Sequence, residues 1–339
     1  MNSCNGSKLK ELAKGKKVLF ITTKNIDYIR NTQEIRILES VAEKVEIVCS
    51  NKSNYLLRTL AVWKQIKQEK IQRNDLIFLG FSPQLVVPFI GRKFKGKLVI
   101  MDFFISIYDT LICDRKKFKQ GTLIANLCHK LDEVTLKRAN HVITDTKAHA
   151  DYFISEFHGN PDIFETIYLE ADLEVYYPRL QKKTENLKDK FVVLYFGSIL
   201  PLQGVDVVLG AIRKLKEKDN LLFDIIGPIP QKYNKPLQNN VKYTEWLPQK
   251  ELAEHIANAD LCLAGHFSAD IDKAKRTIPG KAYIYEMMQK PMILGDGMAN
   301  HEIYSSDMKH QFVKMGDEKM LADKIVAMSQ SLADRQNNL

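Results

Sequence analysis

The sequence predicts an α/β protein built from two doubly wound parallel sheets. Three observations carry that expectation. Short apolar runs alternate with amphipathic helical patterns along most of the chain, as parallel strands joined by helical crossovers require. The alternation stops in a polar, aperiodic stretch at residues 179–189 and then resumes. Finally, 339 residues suffice for two full-sized cores.

In the first half, strands are expected at residues 17–23, 45–50, 75–80, 97–102 and 141–145, and helices at 31–41, 55–71 and 123–137. The pattern breaks at 168–178. In the second half, strands are expected at 191–196, 222–226, 241–243, 261–264 and 290–296, and helices at 205–215, 251–259 and 321–332. The resulting division is a domain over 1–178, a linker over 179–189, a domain over 190–320, and a closing segment, 321–339, that packs back on the first domain. No repeat of solenoid length and no low-complexity tract interrupts this order.

Composition excludes several classes. Apolar residues make up 45% and charged residues 27%, which indicates a globular chain, and no run of 18 apolar residues suggests a membrane span. The polar start, Met-Asn-Ser-Cys-Asn-Gly-Ser-Lys, has no apolar signal core, so a cytoplasmic location is expected. Cys4, Cys49, Cys113, Cys128 and Cys262 are odd in number and scattered, consistent with reduced thiols and not with disulfides or zinc. A net charge of +9 calls for an anionic partner: a nucleotide, an anionic membrane face or nucleic acid.

The most informative stretch is 275–290, Lys-Arg-Thr-Ile-Pro-Gly-Lys-Ala-Tyr-Ile-Tyr-Glu-Met-Met-Gln-Lys. Pro279 is preset for a helix start, Gly280 allows close approach to the backbone, and the first amides have no partner inside the helix. Lys275, Arg276 and Lys281 add cations there, as binding of two or more phosphate charges requires. Glu286 follows roughly 9 Å along the axis, within reach of a ribose. The competing reading is a surface helix with solvated charges. Two further loops follow strands: 197–204, with Gly197, Ser198 and Gly204, and 227–230, with Gly227. Trp246 suits either a shelf for a nucleobase or an ordinary core position.

In the first half, residues 101–115 leave a strand end and combine carboxylates with hydroxyls. Asp102 and Asp109 are candidates to position or deprotonate an acceptor hydroxyl; capping of a helix start is the alternative. His149 reads as a helix-surface residue. Asp270 and Asp272 have the shape of a metal pair, but basic residues follow at once, and no metal is expected. The basic, aromatic-flanked stretches 85–97 and 115–119 suit an anionic leaflet or are solvated faces.

These motifs together resemble retaining glycosyltransferase family 4, of the two-Rossmann-domain GT-B architecture, and a bacterial branch that builds surface polysaccharides. The resemblance covers about residues 16–320 and is carried by 195–205, 259–263, 273–286, 290–293 and 102–115. It implies two Rossmann-like domains facing a central cleft, the first for the acceptor and the second for the donor. By resemblance, Glu286 holds the donor ribose, the amides after Pro279 hold the diphosphate, and Gly197 and Ser198 line the edge near the phosphates. The chain departs from the family where Ser198 and Gln203 replace an arginine and a lysine of many relatives, and where Ile278 replaces a glutamate. Lys275, Arg276 or Lys281 is expected to take over the missing charge.

The expected function is therefore a metal-independent hexosyltransferase with no cofactor, moving sugar from a nucleotide-diphosphate donor to a glycan or polyprenyl-diphosphate-linked acceptor. Asp102, Asp109 and Glu286 are its expected catalytic set. Gly197, Ser198, Gly227, Trp246, Lys275, Arg276, Pro279, Gly280 and Lys281 are its expected donor contacts. The inner face of the membrane is the expected peripheral location. A non-catalytic nucleotide-sugar-binding partner of another transferase is the alternative. Nucleic-acid binding is the weakest reading, since no binding module accompanies the charge.

Overall fold

The computed structural model describes residues 5–336. It divides between Glu170 and Ala171 into two compact units, ahead of the boundary expected after residue 178. The stretch expected as a linker is tied to the second unit. Gln181 Nε2 donates to the Asn258 carbonyl at 3.0 Å, and Lys183 Nζ lies 2.5 Å from Asp260 Oδ2.

In the first unit the chain runs α1 (Ser7–Ala13), β1 (Lys17–Ile21), α2 (Ile29–Glu39), β2 (Lys44–Val48), α3 (Tyr55–Gln68), β3 (Leu76–Leu79), α4 (Val87–Ile90), β4 (Leu98–Asp102), α5 (Leu123–Leu136), β5 (His141–Thr144), α6 (Lys147–Phe157) and β6 (Phe164–Thr166). The strands form a parallel sheet in the order β2-β1-β3-β4-β5-β6. Alternation along β1 decides which helices cover which face. Val18 and Phe20 pack with Leu9, Ile35 and Leu38 of α1 and α2, whereas Leu19 and Ile21 pack with Val62, Ile66 and Val87 of α3 and α4. Apolar strands buried on both faces are what a parallel sheet demands.

The second unit runs β7 (Phe191–Phe196), α7 (Val205–Lys214), β8 (Leu221–Ile226), β9 (Val241–Thr244), α8 (Gln249–Asn258), β10 (Leu261–Gly265), α9 (Lys273–Arg276), α10 (Gly280–Met287), β11 (Met292–Gly295), β12 (His310–Val313) and α11 (Glu318–Gln336). Its order is β12-β11-β10-β7-β8-β9, again parallel throughout. Strand order reverses between β7 and β10, and at such a switch point ligands of open parallel sheets bind beyond the carboxyl ends of the strands. Helix α11 packs in the second unit's core: Leu321, Ala322, Ile325 and Met328 share a cluster with Val208 and Ile212 of α7. Contact there is close enough that a side chain at Gly210 would meet Glu318 Oε2 at 1.7 Å.

The expected strands and long helices are all present. Helices α1, α4 and α9, strands β6 and β12, and a π-helical turn at Asp109–Asp114 were not expected. Cys49, Cys113, Cys128 and Cys262 form no disulfide, while Cys4 lies outside the described residues. Among the described residues, no helix is long and apolar enough to cross a membrane.

One buried carboxylate holds the loop that leaves β4. Asp132 of α5 accepts from Ser106 Oγ at 2.7 Å, from the Tyr108 and Ile107 amides at 2.8 and 3.1 Å, and from Gln84 Nε2 at 2.9 Å. Burial outweighs these donors and pushes its pKa up to about 6. The unfolded chain therefore releases this proton first as pH rises, and the native state loses stability between about pH 4 and 6. We expect the stability of the protein relative to Asp132→Asn to fall by roughly 3 kcal/mol across that range in urea titrations.

Candidate functional site

Four loops of the second unit leave the carboxyl ends of β7, β8, β9 and β10, and those after β7, β8 and β10 are pressed against one another. A side chain at Gly227, whose φ is +147°, would meet the Gly197 carbonyl oxygen at 2.2 Å. A side chain at Gly204, φ +62°, would meet the Ser268 nitrogen at 2.5 Å. The glycines expected to face a phosphate are thus first required by the approach of loop to loop. Ser198 is exposed at the tip of the first loop.

Beneath that loop lies an unusual charge. Lys281, the second residue of α10, is buried, with its ammonium 3.7 Å from the centre of the Tyr195 ring and 3.4 Å from Gln203 Oε1. Tyr195 donates its hydroxyl to the same Gln203 oxygen at 2.9 Å. No carboxylate pairs with Lys281 among the described residues, and burial pulls its pKa well below the ordinary lysine value. His266, at the end of β10, is buried nearby. Burial first, and then the charge of Lys281, lowers its pKa to about 3, so its ring is neutral; Nδ1 lies 3.4 Å from Thr277 Oγ1.

Glu286 lies further along α10, half-buried. His310 Nε2 is 2.6 Å from its Oε2, and His310 Nδ1 is 3.1 Å from Asp307 Oδ1. The hydrogen bond from His310 lowers the pKa of Glu286, and the same bond raises that of His310. One carboxylate oxygen is thereby anchored, and Oε1 has no hydrogen-bond partner among the described residues. Pro279 is the N-cap residue and Gly280 the first helical one; no side chain caps this end. Arg276 is half-buried, and Lys275 is ion-paired with Asp272 at 2.9 Å. Trp246 is 73% exposed, which removes the core reading for it.

The first unit presents its own carboxyl edge. Asp102, ending β4, caps no helix. It is buried and engaged at both oxygens by Arg30, with Nη2 at 3.0 Å and Nε at 3.2 Å. Arg30 also contacts Glu34 Oε1 at 3.2 Å and the Ile167 carbonyl. Burial pushes the carboxyl of Glu34 well above the usual range, so Asp102 supplies the charge that balances the guanidinium. Asp109 opens the π-helical turn, also buried, and its amide donates to Ser106 Oγ at 2.9 Å. Its Oδ2 lies 3.9 Å from Nε2 of His149, whose Nδ1 is 2.7 Å from Asp145 Oδ1. His149 is wholly buried, contrary to the surface position expected for it. It joins the loops after β4 and β5.

The structure thus gathers Gly197, Gly227, Gly204 and Lys281 at one edge of the second sheet and joins Asp109 to His149 in the first. Sequence reasoning missed Arg30, His266 and His310. The Arg30–Glu34 spacing of four residues was the available signal for the first of these. Nothing local marked His310, which sits on an unexpected strand.

Solved structures show the class to which this fold belongs. The chain is similar to a sucrose-phosphate synthase from Thermosynechococcus elongatus, at 12% identity over 94% of this chain and 90% of that one, with a TM-score of 0.67. It is also similar to Anabaena HepE in complex with UDP, at 17% identity over 93% of this chain and 90% of that one, TM-score 0.63. A glycosyltransferase from Rickettsia africae matches at 12% identity over 93% of this chain and 88% of that one, TM-score 0.59. The shared architecture is GT-B, with two α/β units of parallel strands. No curated protein matches the chain in sequence. Residues 190–331, most of the second unit, match the family model described as Glycosyl transferases group 1.

Two outcomes follow from the buried charges. Replacing Lys281 by Met exchanges an unpaired buried ammonium for an apolar side chain of similar length, so the ligand-free protein should gain about 1–3 kcal/mol in chemical denaturation. The Glu286–His310 pair stabilises the fold between the lowered pKa of the acid and the raised pKa of the base. That contribution is lost as pH falls through the first or rises through the second. His310→Gln should flatten both limbs of the melting-temperature profile.

Proposed function

We propose that the protein is a retaining, metal-independent hexosyltransferase of surface-polysaccharide biosynthesis. It moves a sugar from a nucleotide-diphosphate donor to a glycan or polyprenyl-diphosphate-linked acceptor. The observation that carries the reading is the position of Lys281. The family resemblance places a lysine at position 203, and here the Lys281 ammonium reaches the Gln203 side chain from below. The cation has moved in sequence while staying at the same loop. A diphosphate arriving there gives an uncompensated charge its counter-ion, and the uncapped start of α10 adds amide dipoles. As the bond to the sugar breaks, the same groups stabilise the charge growing on the leaving nucleotide.

In this reading Glu286 accepts the ribose hydroxyls through Oε1, with His310 setting its orientation. Exposed Trp246 is available to stack on the base. Lys275 and Arg276 add positive potential. The HepE structures, which hold UDP and UDP-glucose, support a uridine donor as the first to try. On the acceptor side Asp102 is committed to Arg30, so proton removal falls to Asp109 and His149, the latter oriented by Asp145.

Because Ser198 and Gln203 stand where many relatives carry cations, a nucleotide-sugar-binding partner without activity is the second reading. Thermal shift and released-nucleotide assays separate the two. UDP or GDP at 100 times its Kd should stabilise the protein by about 2.7 kcal/mol. Lys281→Met and Glu286→Ala should each weaken nucleotide binding about 10- to 150-fold. No stabilisation by any nucleotide overturns both readings, and binding without turnover on lipid-linked acceptors selects the second.

A further inference from the structure

Helices α3 and α5 of the first unit carry the same outward pattern in their opening turns. Leu56, Leu57 and Leu60 on α3 and Leu123, Ile124 and Leu127 on α5 stand at positions i, i+1 and i+4 and are 45–87% exposed. This spacing gathers three apolar side chains within about a third of a helix circumference. The turns are well formed, because Asn54 caps α3 through the Leu57 amide and Thr122 caps α5 through the Ala125 amide. Single exposed leucines need no explanation, but the same triplet repeated on two helices of one layer does.

Topology puts the two triplets on one side of the sheet. Strands β2 to β5 are parallel, so α3 and α5 both run back against the sheet and begin at its carboxyl edge. Both crossovers advance in the same direction along the sheet, which places their helices on one face. Side-chain contacts tie this layer together through α4: the Trp63 and Phe89 rings are 4.9 Å apart, and Arg138 Nη1 donates to the Val87 carbonyl at 2.7 Å.

The charge around these leucines identifies the partner. Residues 50–140 contain 17 Lys and Arg but only 7 Asp and Glu, a net +10 against +9 for the whole chain. Four of those acids, Asp102, Asp109, Asp114 and Asp132, are buried. Lys116, Lys117 and Lys119 precede α5 on an exposed segment, and Lys52 and Lys64 flank the triplet of α3. Apolar side chains ringed by cations suit the boundary between anionic headgroups and acyl chains.

We propose that this face is a docking surface for an anionic lipid bilayer, with the six aliphatic side chains inserted at the headgroup level and the lysines on the phosphates. The inference does not rest on the donor reading, since it concerns other residues and is tested without nucleotide. The test is co-sedimentation of the full chain with vesicles of phosphatidylcholine alone or with about one third phosphatidylglycerol. Wild type should partition at least about tenfold more strongly into the anionic vesicles, with binding weakened by salt. Leu57→Ser/Leu60→Ser/Leu123→Ser/Leu127→Ser should lower that partition at least about tenfold with an unchanged melting temperature, because all four side chains are already in solvent. Lys116→Glu/Lys117→Glu/Lys119→Glu provides an independent variant with the same expected loss. The proposal fails if wild type stays in the supernatant. It also fails if the serine variant binds as wild type does, or if those substitutions instead convert a wild-type dimer to a monomer.

Discussion

Pairing strands that all run one way is the constraint on which this molecule depends. It forces each return through a crossover, buries both faces of the sheet, and delivers every strand-to-helix loop to one edge. In the second unit it also sets how tightly the edge is assembled. With order reversing between β7 and β10, the loops after β7, β8 and β10 share so little space that Gly197, Gly204 and Gly227 abut backbone or the Gln203 side chain. The site residues are held by that crowding and not by a separate scaffold.

The two units handle a buried cation in opposite ways. Arg30 is surrounded by Asp102, Glu34 and a carbonyl, so its charge is balanced within the fold. Among the described residues Lys281 meets an amide oxygen and two aromatic faces, with no carboxylate. An ammonium desolvated without a counter-ion opposes folding far more than a guanidinium paired and hydrogen-bonded at the same depth. The first arrangement suits a structural strut, and the second suits a place that an anion fills from outside. That contrast is what directs attention to α10 and away from Asp102.

Much of this was legible in the sequence. Apolar runs such as 191–196 and 261–264 give strands in any register, and residues 275–290 announced a helix start rich in cations. What stayed hidden depends on distant partners. His149 was read as a surface residue because its own helix does not show that Asp109 lies opposite. Trp246 had no local mark of exposure. Asp132 looked like any helix acid, though it fixes the loop carrying Ser106 and Tyr108 from 24 or more residues away. Strand β12 escaped because His310 and Gln311 break the apolar run, and with it went the partner of Glu286.

The interlocked glycines also partition the edge into positions that evolution or an engineer can vary and positions that it cannot. Any larger residue at 204 or 227 collides with neighbouring main chain, so those sites are closed to diversification. Ser198, Pro228, Glu245 and Trp246 face solvent on the same rim and are open to it. Selectivity for a new small molecule would therefore be written in these few outward side chains, on a frame that tolerates almost no rewriting.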